Sequence, residues 1–336
     1  MDLSTNYMGL RLSNPLVASA SPLSHTLDGV RRLVDGGVGA VVLHSLFEEE
    51  LAEEAEREAT LAEAGTESFA ESLTYFPARA GGEFGPHRYL SLLERAVAVV
   101  DVPVIASLNG TTPGGWTGYA RALEDAGAVA LELNTYSSPS GPDLSGREIE
   151  QRLVDVLESV KAAVTIPVAV KLSPYLSSIG EMARRLDEAG ADGLVLFNRF
   201  LHPDLDVESL AVVPGLGLSQ PADGRLPRTW IALLRGRVQA SLAASTGVDG
   251  PDDLVKYLLA GAEVVMTTSS LLRHGPAHAR ALLEGLSTWM ARKGFSAIGE
   301  VRGKLAVAPE EDETARERAA YVAALRAANA STRGPW

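Results

Sequence analysis

Eight short runs of branched apolar residues recur along the chain, and each ends in a small or polar residue: Pro15–Ala20, Gly39–His44, Pro103–Asn109, Ala128–Asn134, Pro167–Lys171, Gly193–Asn198, Gln239–Ser245 and Glu263–Thr268. Runs this continuous suit parallel strands, which are buried on both faces. Between most of them lie helix-length stretches with Leu, Ala and Val three and four residues apart and charges between, the pattern of a helix packed on a sheet. Eight such strand–helix units predict an α/β fold, a (β/α)8 TIM barrel. Reacting groups in these barrels gather at the carboxyl ends of the strands. Here those ends are His44, Asn109, Asn134, Lys171, Asn198, Ser245-Thr246-Gly247 and Thr268-Ser269. Three of the chain's six Asn occupy them, a concentration that scattered surface turns would rarely give.

The strands are unevenly spaced. After the second, fourth and sixth the step stretches to 64 (39 to 103), 38 (129 to 167) and 47 (193 to 240) residues. Helices fill only part of these steps, so insertions are expected there, lying over the strand ends as binding loops or lids. The first insertion carries an acidic run, Glu48 to Glu58, that reads as a solvated helix face, because carboxylates at every helix angle cannot converge on one metal ion. Residues 1–13 alternate around Met8-Gly9 and predict a hairpin closing the barrel floor. Residues 309–336 predict a helical tail docked on the barrel through Tyr321, Val322 and Leu325. The whole, 1–336, reads as a single domain, longer than the roughly 250 residues of a plain barrel but within the range of one with insertions.

A net charge of −13 argues against nucleic acid and anionic membrane, both of which need a concentrated basic face. With no Cys, the chain cannot itself hold a disulfide framework or an iron–sulfur cluster. No apolar run approaches a membrane span and no basic-then-apolar leader opens the sequence, so the cytoplasm is the expected compartment.

Lys171 puts an ammonium into an apolar strand, where an isolated charge is costly and needs an anion or an electron-rich ligand. A structural ion pair with Glu132 on the neighbouring strand is one reading. The others are a charge that stabilises an anionic cofactor and a Schiff-base nucleophile. The seventh and eighth strand ends combine small residues with hydroxyls ahead of helices, where barrels often bind phosphate, although helix capping alone would use the same residues. Asn109, Asn134 and Asn198 bring donor and acceptor amides to the same mouth, suited to a heterocycle bearing C=O and N–H.

Asn14-Pro15 to Ser21-Pro22, Leu131 to Asn134, Val168 to Tyr175, the seventh and eighth strand ends and His274-Gly275-Pro276 resemble the dihydroorotate dehydrogenases, in register from about residue 3 to about 305. The resemblance is to a divergent, dihydroorotate dehydrogenase-like branch. It implies a barrel that binds flavin mononucleotide (FMN), with the phosphate at Gly247, Thr268 and Ser269. Lys171 would lie beside the pyrimidine edge of the flavin, Ala20 and Ser21 along its ring, and Asn109, Asn134 and Asn198 against flavin or substrate. The catalytic base of the family falls on Ser137 counted from Asn134, or on Ser138 counted back from Pro139. His44 stands where the family has Lys, Ser140 where it has Asn, and Arg199 where a small residue is usual; no Asn occurs from 15 to 108.

The resemblance therefore implies an FMN-dependent oxidoreductase of pyrimidine metabolism that desaturates a CH–CH group of dihydroorotate or a related small carbonyl compound. Hydride would pass to the flavin and the proton to Ser137 or Ser138. It also implies a homodimer and, with no Cys in the chain, a partner protein for any iron–sulfur electron relay. Two other functions fit the strand ends: a flavin-free lyase or aldolase with Lys171 as Schiff base, and a flavin-binding accessory subunit without turnover. With the amide set incomplete, Arg199 is expected to meet a carboxylate of the substrate.

Overall fold

A computed structural model describes residues 1–50, 86–110, 116–135, 144–199, 203–213, 217–310 and 313–330. The eight apolar runs form the strands β3 (Leu16–Ala18), β4 (Ala40–Phe47), β5 (Val104–Asn109), β6 (Ala130–Asn134), β7 (Val168–Leu172), β8 (Gly193–Leu196), β11 (Ser241–Ala244) and β12 (Val264–Thr267). They pair in parallel as a closed barrel in the order β11-β12-β3-β4-β5-β6-β7-β8. The predicted (β/α)8 fold is thus present.

Two apolar cores account for the absence of alternation along the strands. Outward residues such as Leu16, Val41, Leu108, Leu131, Val170 and Leu194 pack beneath the surrounding helices. The intervening inward residues Val17, Val42, Ile105, Ala130, Ala169 and Val195 fill the barrel. The helices start where the sequence supplies caps: Thr26 accepts from the Gly29 N–H ahead of α1 (Leu27–Asp35), and Ser145 forms a capping box with Glu148 ahead of Gly146–Lys161.

β1 (Thr5–Tyr7) and β2 (Leu10–Leu12) form the expected antiparallel hairpin, turning through Met8 and Gly9, both at positive φ as a tight two-residue turn demands. Tyr7, Met8 and Leu12 are buried among the inward barrel residues and plug its floor. Gly193 makes room for this plug, since a Cβ there would meet the Met8 thioether at 3.0 Å. A second hairpin, β9 (Asp204–Asp206) with β10 (Ala211–Val213), stands between β8 and β11. Most of the stretch expected to form the first insertion, 51–85, lies outside the described residues.

The carboxyl-terminal tail departs from expectation. It is helical over Glu313–Ala330, but its described side chains, 318–327, are exposed, with Tyr321 at 67% and Leu325 at 47%. The last anchors come before it. The Val307 N–H bonds the Ala232 carbonyl at 2.9 Å, and the Arg237 guanidinium donates to the carbonyls of Ala308 and Pro309. Past these bonds, the described part of the helix has no apolar surface to cover it. Among the described residues no helix is long and apolar enough to cross a membrane.

Candidate functional site

Above the apolar plug, the inward positions of the barrel turn polar. β5, β6 and β7 stay in step, Asn109 opposite Asn134 and Asn134 opposite Lys171, so three strand ends bring their side chains to one level. One step nearer the floor, Ser107 lies opposite Glu132. The expected residues Asn109, Asn134 and Lys171 are all buried there.

Lys171 reaches across the mouth. Its Nζ donates to Glu132 Oε1 at 2.9 Å and to Ser19 Oγ, just beyond β3, at 3.1 Å. The side chains of Lys171 and Glu132 are 6% and 1% exposed. The ion pair weighed from sequence is therefore present, and the ammonium is not a lone cation. Among the described residues two of its three N–H bonds are engaged, which leaves one donor for a ligand, and the other Glu132 oxygen, Oε2, is buried without a hydrogen-bond partner.

Asn198 lies two residues beyond the end of β8, where its backbone N–H bonds the Leu172 carbonyl. Its side-chain amide donates to Asn134 Oδ1 at 2.7 Å, joining two of the three expected amides. That bond leaves the Asn134 NH2 and the Asn198 carbonyl oxygen available to a heterocycle. Arg199 follows, half-buried, with Nη1 buried and without a hydrogen-bond partner among the described residues. Ser137 and Ser138 lie outside the described residues.

At the seventh and eighth strand ends, Thr246 and Gly247 both take positive φ. Side chain is excluded at Gly247: a Cβ would stand 2.3 Å from the Gly224 nitrogen. The Gly247 N–H meets Ser219 Oγ at 3.2 Å, and Ser269 Oγ accepts from the Ser219 N–H at 3.0 Å and from its hydroxyl at 2.9 Å. Arg273 closes the cluster, donating to the Ser219 carbonyl and pairing with Asp249 at 2.7 Å. Gly247 and Ser269 are thus brought together as expected, while Thr268 turns towards β3, its hydroxyl donating to the Ser19 carbonyl at 3.3 Å. Ser219 and Arg273 were missed by sequence reasoning. Ser219 sits in a loop far from any strand end, and Arg273 reads as an ordinary basic residue near a helix end. Ala20 and Ser21 continue from Ser19 along the same rim, Ser21 buried and Ala20 packed against the inner core.

His44 departs from its expected place at a strand end. β4 runs on to Phe47, and its pairing with β5 slips by one residue between Val42 and Ser45. Ser45 consequently takes the inward position, its Oγ 2.9 Å from Ser107 Oγ. The His44 ring lies 4.0 Å from His25 and 4.8 Å from Tyr89, centroid to centroid. Burial, with His25 beside it, pushes the His44 imidazole down to about 4. It is a neutral ring at ordinary pH, tilted against its two aromatic neighbours.

Comparison with known proteins gives the family. A family profile described as dihydroorotate dehydrogenase matches residues 2–290. The chain is 27% identical to the protein of Methanothermobacter thermautotrophicus named dihydroorotate dehydrogenase B (NAD(+)), catalytic subunit, over 90% of this chain and 97% of that one. To the protein of the same name from Pyrococcus abyssi it is 28% identical, over 90% and 98%. To that from Halalkalibacterium halodurans it is 31% identical, over 62% and 69%. A closed parallel barrel with a buried lysine, clustered amides and a hydroxyl-lined pair of strand ends, matched over most of its length by one family, makes this chain a member of the dihydroorotate dehydrogenase family.

Proposed function

We propose that the protein is an FMN-dependent oxidoreductase that desaturates a CH–CH group in dihydroorotate or a related small carbonyl compound. One observation carries the reading: Lys171, buried at the end of β7, keeps one N–H free beside the linked amides of Asn134 and Asn198. An aldolase lysine must offer a lone pair to its substrate, whereas this ammonium is engaged by a carboxylate and a hydroxyl.

The donors present fit the cofactor. The Lys171 ammonium would meet the electron-rich pyrimidine edge, and Asn109 and the Asn134–Asn198 pair offer N–H and C=O to a ring imide. Gly247 and Ser269, with Thr268 and the newly found Ser219, would hold the phosphate, and Ala20 and Ser21 would line the ring. His44, one position before the inward Ser45, supports this wall from outside. When bound, FMN supplies the two-electron acceptor. Ser137 or Ser138 would take the substrate's proton. Arg199, with its unpartnered Nη1, would meet a carboxylate of the substrate.

Two of the family's substrate-reading amides have no counterpart here: Ser140 stands where one Asn is usual, and no Asn occurs from 15 to 108, where another belongs. Each unmet buried polar group costs about 1–3 kcal/mol, so dihydroorotate itself is expected to turn over weakly or not at all. Relatives named as catalytic subunits support a partner protein that carries electrons onward. A cytoplasmic homodimer completes the proposal.

The test is to denature the purified protein, identify any flavin in the supernatant, and titrate stripped protein with FMN by calorimetry. One FMN per chain supports the reading; no flavin and no uptake overturn it. Steady-state assays with dihydroorotate and an artificial acceptor then test the substrate, and turnover at a rate normal for enzymes would show that Arg199 has not displaced the family's specificity.

A further inference from the structure

Glu132 places a carboxylate inside the barrel, one step nearer the floor than the mouth residues Asn109, Asn134 and Lys171. Among the described residues only Oε1 is satisfied, by Lys171 at 2.9 Å, and Oε2 is buried with no hydrogen-bond partner. Buried carboxylates kept for structure ordinarily have both oxygens satisfied, because a half-paired ion recovers little of its desolvation cost. The negative field of this group also extends well beyond Lys171. Burial chiefly, and the Glu132 charge in addition, push the hydroxyls of Tyr7 below it and Tyr89 on the neighbouring helix well above their ordinary range. A ligand at the mouth therefore faces the positive end of a buried dipole rather than a full cation.

We propose that Glu132 is a positioning residue that fixes the Lys171 ammonium at the mouth and offsets its charge, thereby lowering the reduction potential of the bound flavin. This rests on the FMN reading above. The reduced cofactor carries more negative charge than the oxidised one, so it gains more from an uncompensated cation, and Glu132 withholds part of that gain. Glu132→Gln keeps a carbonyl oxygen to accept from Lys171 while deleting the charge. With Lys171 held in place by the Gln carbonyl oxygen, removing the negative charge favours the reduced form.

The experiment compares midpoint potentials of flavin-loaded wild type and E132Q against a reference dye at one pH. A positive shift is expected, corresponding to at least tenfold tighter relative binding of the reduced cofactor, or about 30 mV for a two-electron couple. Flavin bound one to one with an unmoved or more negative potential overturns the role of Glu132 alone. Absence of flavin from the wild type overturns the cofactor reading and this one together. Should E132Q fail to accumulate, Glu132→Asp decides: the shorter side chain draws the carboxylate away from the Lys171 ammonium, so a positive shift in potential supports the proposal and a potential equal to wild type overturns it.

Discussion

Lys171→Met removes the only charged partner, among the described residues, of a carboxylate that is 1% exposed while keeping an unbranched side chain of similar length. Breaking a buried ion pair from one side typically costs about 3–5 kcal/mol, because the remaining charge is stranded. Unfolding entropy near 2.1 cal/mol/K per residue gives about 0.7 kcal/mol/K for 336 residues. The expected loss is therefore about 4–7 °C in Tm. The paired change Lys171→Met with Glu132→Leu deletes both charges together, and apolar replacement of a whole buried pair is often neutral or stabilising. The double variant should regain wild-type Tm or exceed it, a coupling of about 3 kcal/mol or more. Thermal unfolding followed by circular dichroism, at matched cofactor occupancy since a bound ligand adds its own stability, measures all four proteins of the cycle. A Lys171→Met protein that melts within a degree of wild type would refute the argument, because Glu132 would then be satisfied by something other than Lys171.

Three further outcomes are expected. The folded His44 imidazole takes a proton only near pH 4 against about 6.5 unfolded, so its contribution is complete above about pH 6.5 and is lost as pH falls towards 4, on the order of 3 kcal/mol in all. Urea midpoints of wild type and His44→Phe should be similar above that window and diverge as the pH is lowered through it, wild type falling while the Phe variant holds, if the ring contacts are otherwise kept. Gly247→Ala forces a Cβ to within 2.3 Å of the Gly224 nitrogen at positive φ and should cost about 1–3 kcal/mol or more, together with weaker FMN binding by fluorescence titration. Of Ser137→Ala and Ser138→Ala, only the variant lacking the true base should slow flavin reduction by substrate, by about 10²–10⁴, with flavin content unchanged in both.

The barrel was legible because strands buried on both faces write themselves as unbroken apolar runs, and β5 and β6 end at Asn109 and Asn134 as expected. β4 was misread at its end. A one-residue slip changes which side chain faces inward without altering composition, so nothing in Leu43-His44-Ser45 announces that Ser45 and not His44 lines the interior. Spacing placed Glu132 within reach of Lys171, yet it could not show that one carboxylate oxygen would be left unpaired. Ser219 was invisible because its role comes from a loop returning over the seventh and eighth strand ends, a long-range contact with no local pattern. The tail illustrates the opposite limit: apolar spacing can specify a helix, but whether any surface remains for it to cover depends on where Arg237 and Ala232 anchor the chain before it.

The hairpin that plugs the floor also sets the order in which the molecule can be completed. Thr5 donates to the Glu263 carbonyl, 258 residues away, and the Met8 N–H bonds the Ser241 hydroxyl. β3 likewise finds one of its two neighbours only in β12. At about 5–20 residues per second of synthesis, the plug waits on the order of 10–50 s for the strands that fasten it. Throughout that interval Tyr7, Met8 and Leu12 have no barrel to enter, and a nascent chain must keep them from other partners. Moving the hairpin segment to follow the helix His278–Lys293 would deliver plug and seat together and should shorten the time during which newly made protein is open to chaperones.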